Sequence, residues 1–150
     1  MKAFRSTLEQ VGRHVLEEWA MMLVDIDLPG PAGFDPGAPF YLVRANYRGV
    51  FDGTLSVLCQ AGFLNTLGLN LCGVDEPISP GERLDSLKEL TNVISGNFLV
   101  EAFGEETVFD LPAFELLTVG QEGAAEILGR EPVWCLGDGE PVAIDFTIRG

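Results

Sequence analysis

The chain has 150 residues, of which 47% are hydrophobic and 21% charged, and this composition predicts a single folded domain with a packed core. Nine Lys and Arg residues against 23 Asp and Glu residues give a formal net charge of −14. Nucleic acids and anionic membranes bind basic surfaces, so neither is expected as a partner. No apolar run approaches the ~18 residues that span a bilayer, and the N-terminal segment contains glutamates, so we expect a cytoplasmic protein.

The cysteine and histidine content argues against a metal centre and against a hydrolytic triad. Cys59, Cys72 and Cys135 are widely spaced among apolar residues, so reduced, buried thiols are expected rather than disulfides or a zinc site. His14 is the single histidine. It has no nearby Cys/His cluster or carboxylate–serine pair, which disfavours a Ser–His–Asp triad and a multi-histidine metal site.

The N-terminal half predicts a helix followed by a β-hairpin. Apolar residues recur at helical spacing over residues 4–24, and a loop rich in proline and glycine, DLPGPAGFDPGAP, follows. Residues 40–48 alternate in polarity as a strand does, with Arg44 and Arg48 expected at solvated positions. An Asp-Gly turn then leads into TLSVLCQ as the antiparallel partner.

The C-terminal half predicts two helices and then strands. AGFLNTLGLNLCG is typical of a short helix closed by glycine, and a long helix begins near residue 80. TVFDLPAFELLTVG, PVWCLG and PVAIDFTIR predict strands, with Pro112 at an edge or a bulge because it cannot donate to a sheet. The resulting fold class is a layered α/β sandwich of the α+β type, with helices packed on a mostly antiparallel sheet in one domain over residues 1–150.

The long helix has a start signal and two distinct faces. Ser79-Pro80-Gly81-Glu82 matches a capping box, with serine as the N-cap, proline at the first helical position and glutamate at the third. At 100° per residue, one side of the helix is apolar: Leu87, Leu90, Ile94 and Phe98. The opposite side carries a set that we call the polar stripe: Asp85, Glu89, Asn92 and Gly96.

The spacing of the polar stripe suggests more than one interpretation. Glu89 and Asn92 are i, i+3 neighbours and should project together, away from the core. Gly96 costs the helix about 1 kcal/mol relative to alanine, and it leaves room for another surface to approach. Asn97 falls on the flank towards the core, where its amide is expected to satisfy backbone or neighbouring polar groups. Taken alone, a charged residue and an amide on an exposed helix face usually indicate only a solvated face, and a short E-x-x-N match arises often by chance.

The wider pattern resembles a known family. Glu89-Leu90-Thr91-Asn92, followed by Gly96-Asn97, resembles the E-[LI]-x-N-x-x-x-G-N signature of the CheC/CheX chemotaxis phosphatases. The DGTLS hairpin strand and the order of the predicted elements are similar to that family as well, so the resemblance covers nearly the whole chain. Its length and single motif resemble CheX.

Two positions differ from the family pattern. The first helix has Ala20 three residues after Glu17 and Met21 three residues after Glu18, so it carries no second E-x-x-N motif and one site per chain is expected. The family commonly has alanine after Gly-Asn, where this chain has Phe98. Because Phe98 falls on the apolar side, it is expected to repack the helix against the sheet.

The resemblance implies dephosphorylation of the phosphoaspartate in a CheY-like response-regulator receiver domain. In this interpretation Glu89 pairs with the active-site lysine of the receiver, with a general-base role left open, and Asn92 orients the attacking water. Asp85 and Gly96 belong to the docking surface. The receiver supplies Mg²⁺, so no cofactor of the chain itself is expected. Members of the family are often homodimers through their sheets, and exposed edge strands here would permit the same.

Two alternatives to an enzyme are compatible with the sequence. One is a non-catalytic module that binds a receiver or resembles the flagellar-switch proteins. The other is a divergent domain that has kept the fold and lost both roles. The intact pair of Glu89 and Asn92 favours the phosphatase, because a scaffold does not require both residues.

Overall fold

The computed structural model describes residues 2–25, 33–73, 79–110 and 112–149. The described elements are, in chain order, α1 (Lys2–Glu18), β1 (Val24–Asp25), β2 (Phe40–Tyr47), β3 (Asp52–Cys59), α2 (Ala61–Cys72), α3 (Pro80–Phe103), β4 (Ala113–Val119), α4 (Gln121–Leu128), β5 (Val133–Gly137) and β6 (Glu140–Arg149). These strands form one antiparallel sheet in the order β1-β5-β6-β3-β2-β4. The predicted class, helices packed on an antiparallel sheet, is confirmed. Residues 27–32 of the predicted proline-rich loop lie outside the described residues, and residues 33–39 form no helix or strand of the sheet.

Side chains alternate along each strand, so apolar residues point to both faces of the sheet. Helices cover both faces. On β2, Val43 and Ala45 join the core beneath α1, α2 and α3. Leu42 points to the other face and packs with Ala124 and Ile127 of α4. Three helices therefore lie on one face of the sheet and the fourth lies on the other.

The first helix is shorter than predicted. It ends at Glu18, not at residue 24, and Met21 adopts a left-handed φ of 57°. Asn70 donates to the carbonyl of Ala20 (3.0 Å), and β1 then pairs with β5. The apolar residues past the helix end do not share one helical face: Ala20 and Met22 are buried, whereas Met21 and Leu23 are exposed. Tertiary hydrogen bonds therefore decide the boundary.

The region between β4 and β5 also differs from the prediction, because it contains α4 where only strands were expected. Strand β4 begins at Ala113, directly after Pro112, and forms one edge of the sheet. Gly120 supplies the extended N-cap of α4, whose buried residues are Ala124 and Ile127. A helix of eight residues bracketed by glycines has too short an apolar pattern to be recognised.

A network of charges lies on the α4 side of the sheet. Arg44 was expected to be solvated, but its side chain is only 26% exposed and lies 3.7 Å from Glu126 and 4.0 Å from Glu115. Arg130 bonds Asp145 at 3.3 Å. Burial raises the pKa of Asp145, and the hydrogen bond from Arg130 opposes that shift. Arg44 is partly buried and lies beside Glu126 of α4, a helix that the sequence did not reveal.

The thiols are free, and one of them is exposed. Cys59 and Cys135 are buried as predicted, but Cys72, the last residue of α2, is exposed. Burial raises the pKa of the Cys59 thiol and raises the pKa of Cys135 to about 12. Neither buried thiol can act as a thiolate nucleophile near neutral pH. In the described segments no helix is long and apolar enough to cross a membrane.

Candidate functional site

Helix α3 carries the motif and is fixed at both ends. The Ser79 hydroxyl accepts from the Glu82 backbone N–H at 3.2 Å, and Pro80 occupies the first helical position, so the predicted serine N-cap is confirmed. The Glu82 carboxylate accepts from the Ser79 hydroxyl at 3.0 Å. Gly104 ends the helix at a φ of 90°, and its N–H donates to the Val100 carbonyl. The helix packs against α1, α2, β2 and β3.

The two sides of α3 separate as predicted. The apolar side is fully buried: Leu87, Leu90, Ile94 and Phe98. All four members of the polar stripe are exposed: Asp85, Glu89, Asn92 and Gly96. The structure therefore brings Glu89 and Asn92 together on one solvent-facing surface, one helical turn apart.

The amide of Asn92 is available to a partner. The chain has five asparagines, all within the described residues. The side chains of four of them form hydrogen bonds: Asn46, Asn65, Asn70 and Asn97. Asn92 is the exception among the described hydrogen bonds. An exposed amide with an unused donor and an unused acceptor can bind a water molecule through both ends.

The carboxylate of Glu89 is similarly available. No ion pair within the described part of the chain involves Glu89. Its neighbour Lys88 turns towards the edge strand, where the ammonium lies 5.2 Å from the centroid of the Phe114 ring. On α1, by contrast, Glu17 is held by Arg13 at 2.8 Å. Glu89 therefore presents an uncompensated negative charge beside Asn92.

Gly96 leaves a gap in the exposed face. It has an ordinary helical backbone rather than a positive φ. Apart from its chain neighbours and the adjacent backbone of its own helix, no atom of the described residues lies within 4 Å of the position where a Cβ would be. Neither backbone strain nor a close contact inside the fold accounts for a glycine here.

Asn97 differs from its predicted position. It is exposed and does not turn towards the core. Its amide donates to the carbonyl of Val93, one turn back, at 2.7 Å. Because its own helix satisfies the amide, the side chain does not require a core partner.

Sequence reasoning missed two residues beneath the motif. Ser95 is fully buried, and its hydroxyl donates to the backbone carbonyl of Asn92 at 3.1 Å. The hydroxyl of Tyr47 on β2 bonds the same Ser95 oxygen. Ser95 could have been identified from its position on the buried side of the helix, but only the fold shows which strand residue reaches it.

The candidate site is an open helix face, and two grooves lie elsewhere. One, of about 640 Å³, runs between α1 and the start of β5. Another, of about 500 Å³, lies where β2 ends and β3 begins. Neither contains Glu89 or Asn92. Small-molecule sites are concave, so an open face is better suited to a macromolecular partner.

The metal-binding side chains of the polar stripe are few. Within the segments that the structure describes, no group of three or more His, Cys, Asp or Glu side chains could hold a metal ion. The polar stripe has two carboxylates, of Asp85 and Glu89, and one amide, of Asn92.

The fold and this face define a class: a domain of helices packed on an antiparallel sheet, whose longest described helix exposes a polar face to solvent. The family model "Chemotaxis phosphatase CheX" matches residues 41–133. The chain therefore belongs to the CheX family of chemotaxis phosphatases. No curated protein matches the sequence.

Solved structures with the same fold include three chemotaxis proteins. A chemotaxis protein from Desulfovibrio vulgaris Hildenborough is 15% identical with a TM-score of 0.67, covering 98% of this chain and 97% of that one. CheX from Vibrio vulnificus is 15% identical with a TM-score of 0.67, covering 97% and 96%. The CheX–CheY–BeF₃–Mg²⁺ complex from Borrelia burgdorferi contains a chain that is 16% identical with a TM-score of 0.63, covering 97% of both chains.

Proposed function

We propose that this protein dephosphorylates the phosphoaspartate of a CheY-like response-regulator receiver domain. Membership of the CheX family supports a phosphatase. A structure of the same fold is a complex with CheY, BeF₃ and Mg²⁺. The observation that carries the proposal is the pair of Glu89 and Asn92, both exposed on one face and both without an ion pair or side-chain hydrogen bond among the described residues.

Asn92 orients the attacking water. An acyl phosphate is already reactive, and phosphoryl transfer depends mainly on positioning and on stabilisation of charge. A neutral amide cannot remove a proton, but it can hold a water molecule through its donor and its acceptor. Correct orientation of a nucleophile can supply up to about 7–11 kcal/mol of a barrier in well-aligned systems.

Glu89 docks the receiver. Its free carboxylate pairs with the active-site lysine of the receiver, and Asp85, one turn earlier on the same face, adds negative charge to the docking surface. Gly96 lies about 6 Å along the axis from Asn92, so the receiver surface can approach the helix closely there. The magnesium ion comes with the receiver, where it neutralises charge on the phosphoryl group.

The direct test follows the decay of a phosphorylated receiver in magnesium, with and without this protein. The proposal predicts faster decay that increases with protein concentration. A non-catalytic interaction module would bind the phosphorylated receiver and leave its decay rate unchanged, and that result would reject the phosphatase.

Glu89→Ala is expected to weaken docking. Loss of one charge-assisted hydrogen bond corresponds to about a 10- to 100-fold weaker affinity for the receiver. The concentration of protein that gives half-maximal acceleration should rise by that factor, while the maximal rate changes less. Glu101→Ala is the matched control, because Glu101 is an exposed glutamate of α3 outside the polar stripe. If both variants weaken docking equally, Glu89 has no specific role.

Gly96→Ala is expected to stabilise the protein and impair the reaction. Alanine is favoured over glycine in a helix by about 1 kcal/mol, and no described atom obstructs a Cβ at this position. Urea unfolding should show the gain in the free energy of unfolding, and the receiver assay should show slower decay. Gly81→Ala is the control. Gly81 is an exposed glycine in the first turn of α3, and a Cβ there would lie 4.0 Å from the hydroxyl oxygen of Ser79. An unimpaired Gly96→Leu variant would show that no surface packs there.

A further inference from the structure

Two buried hydroxyls connect the sheet to the turn of α3 that carries Asn92. Ser95 is fully buried and donates to the Asn92 carbonyl at 3.1 Å. The hydroxyl of Tyr47, on β2 of the sheet, forms a hydrogen bond with the Ser95 oxygen. The chain of contacts is therefore Tyr47, Ser95 and the backbone of Asn92.

The direction of the hydrogen bonds follows from their chemistry. A serine hydroxyl has one proton and can accept two hydrogen bonds. Because Ser95 uses its proton on the Asn92 carbonyl, the phenol of Tyr47 is the donor to Ser95. Burial raises the pKa of Tyr47, and the bond to Ser95 opposes that shift, so the phenol keeps its proton at neutral pH.

The side chain of Tyr47 is held in place by burial and by its neighbours. Only 6% of it is exposed, and its ring packs edge-on against Phe109 at 6.2 Å. Its backbone pairs with Gly53 of β3, a strand in the interior of the sheet. A residue on a strand of the sheet holds its side chain in position more precisely than a loop residue would.

Other buried hydroxyls of α3 do not have this arrangement. Ser86 donates to the Glu82 carbonyl at 2.9 Å, and Thr91 donates to the Leu87 carbonyl at 2.8 Å. Among the described residues, neither hydroxyl has a hydrogen-bond partner on another element. Ser95 therefore differs from them in being tied to the sheet.

We propose that Tyr47 and Ser95 are positioning residues for Asn92, and that their hydrogen bonds set the rotation and height of this turn of α3 over the sheet. The apolar contacts of Leu90 and Ile94 are not directional, whereas a hydrogen bond is. The inference rests on the proposed function, since it assigns Asn92 the orientation of the attacking water.

The test compares Tyr47→Phe and Ser95→Ala with the parent protein in the receiver assay. Tyr47→Phe keeps the ring and removes only the hydroxyl that bonds Ser95. A small displacement of a positioning group can reduce a rate by up to about 100-fold, and we expect about a tenfold lower maximal rate with an unchanged half-maximal concentration. Tyr41→Phe on the same strand and Ser86→Ala on the same helix are the controls, and both should keep the parent rate.

A second readout does not depend on activity. In ¹⁵N-labelled protein, the side-chain amide signals of Asn92 and the backbone amide of Gly96 should shift in Tyr47→Phe and Ser95→Ala but stay in place in Ser86→Ala. Urea unfolding establishes that each variant is folded under the assay conditions.

The outcomes separate the two proposals. A lower maximal rate together with shifted Asn92 signals supports the positioning role. A parental rate in Tyr47→Phe, with Asn92→Ala inactive, overturns the positioning role and leaves the phosphatase mechanism standing. If Asn92→Ala is as active as the parent, the proposed mechanism is wrong and the positioning role of the two hydroxyls is wrong with it.

Discussion

Asn92→Ala is expected to abolish the acceleration of receiver dephosphorylation and leave the fold intact. The side chain is exposed, and no hydrogen bond to another described residue is lost with it. Loss of a water-orienting group is expected to slow the catalysed step by about 100-fold or more. The decay of a phosphorylated receiver measures the effect, and urea unfolding should show nearly the parental stability, because a surface substitution away from special features usually changes it by less than about 0.5 kcal/mol.

Asn97→Ala is the matched control for this prediction. Asn97 is an exposed amide of the same helix, but it donates to the Val93 carbonyl. Its removal should keep most of the activity. Equal loss of activity in both variants would contradict the assignment of different roles to the two amides, and a fully active Asn92→Ala would reject the catalytic assignment altogether.

Much of the candidate site could be predicted because a helix repeats regularly. The 100° rotation per residue placed Glu89, Asn92 and Gly96 on one exposed face, and all three are exposed. The N-cap at Ser79 was equally readable, since its chemistry involves only neighbours in the sequence. The β2–β3 hairpin followed from alternation and from the turn between the strands.

Other features depend on residues that are distant in sequence. The hydroxyl of Tyr47 reaches Ser95 across 48 positions, and no local pattern encodes that contact. Arg44 is partly buried next to α4, which contributes Glu126. The first helix ends at Glu18 because later elements bond the following residues. In each case a tertiary contact overrides a local preference.

Phe98→Ala should strongly destabilise the protein even though alanine is what the family resemblance places at this position. Phe98 is fully buried, and its ring lies 4.7 Å from Phe146, 6.3 Å from Phe103 and 6.4 Å from Phe4. Replacement of a buried phenylalanine by alanine typically costs about 3–5 kcal/mol. This loss would be a large part of the roughly 5–15 kcal/mol that stabilises a native domain.

Urea unfolding measures this prediction directly, and Phe98→Leu is its graded control. Leucine fills part of the same volume, so its loss should be smaller than that of alanine. A cost below about 1 kcal/mol for Phe98→Ala would mean that the surrounding rings close over the space, as the cost of a cavity depends on how far its walls can relax. A large cost would show that the aromatic cluster of Phe98, Phe103 and Phe146 is a major source of the stability of this chain.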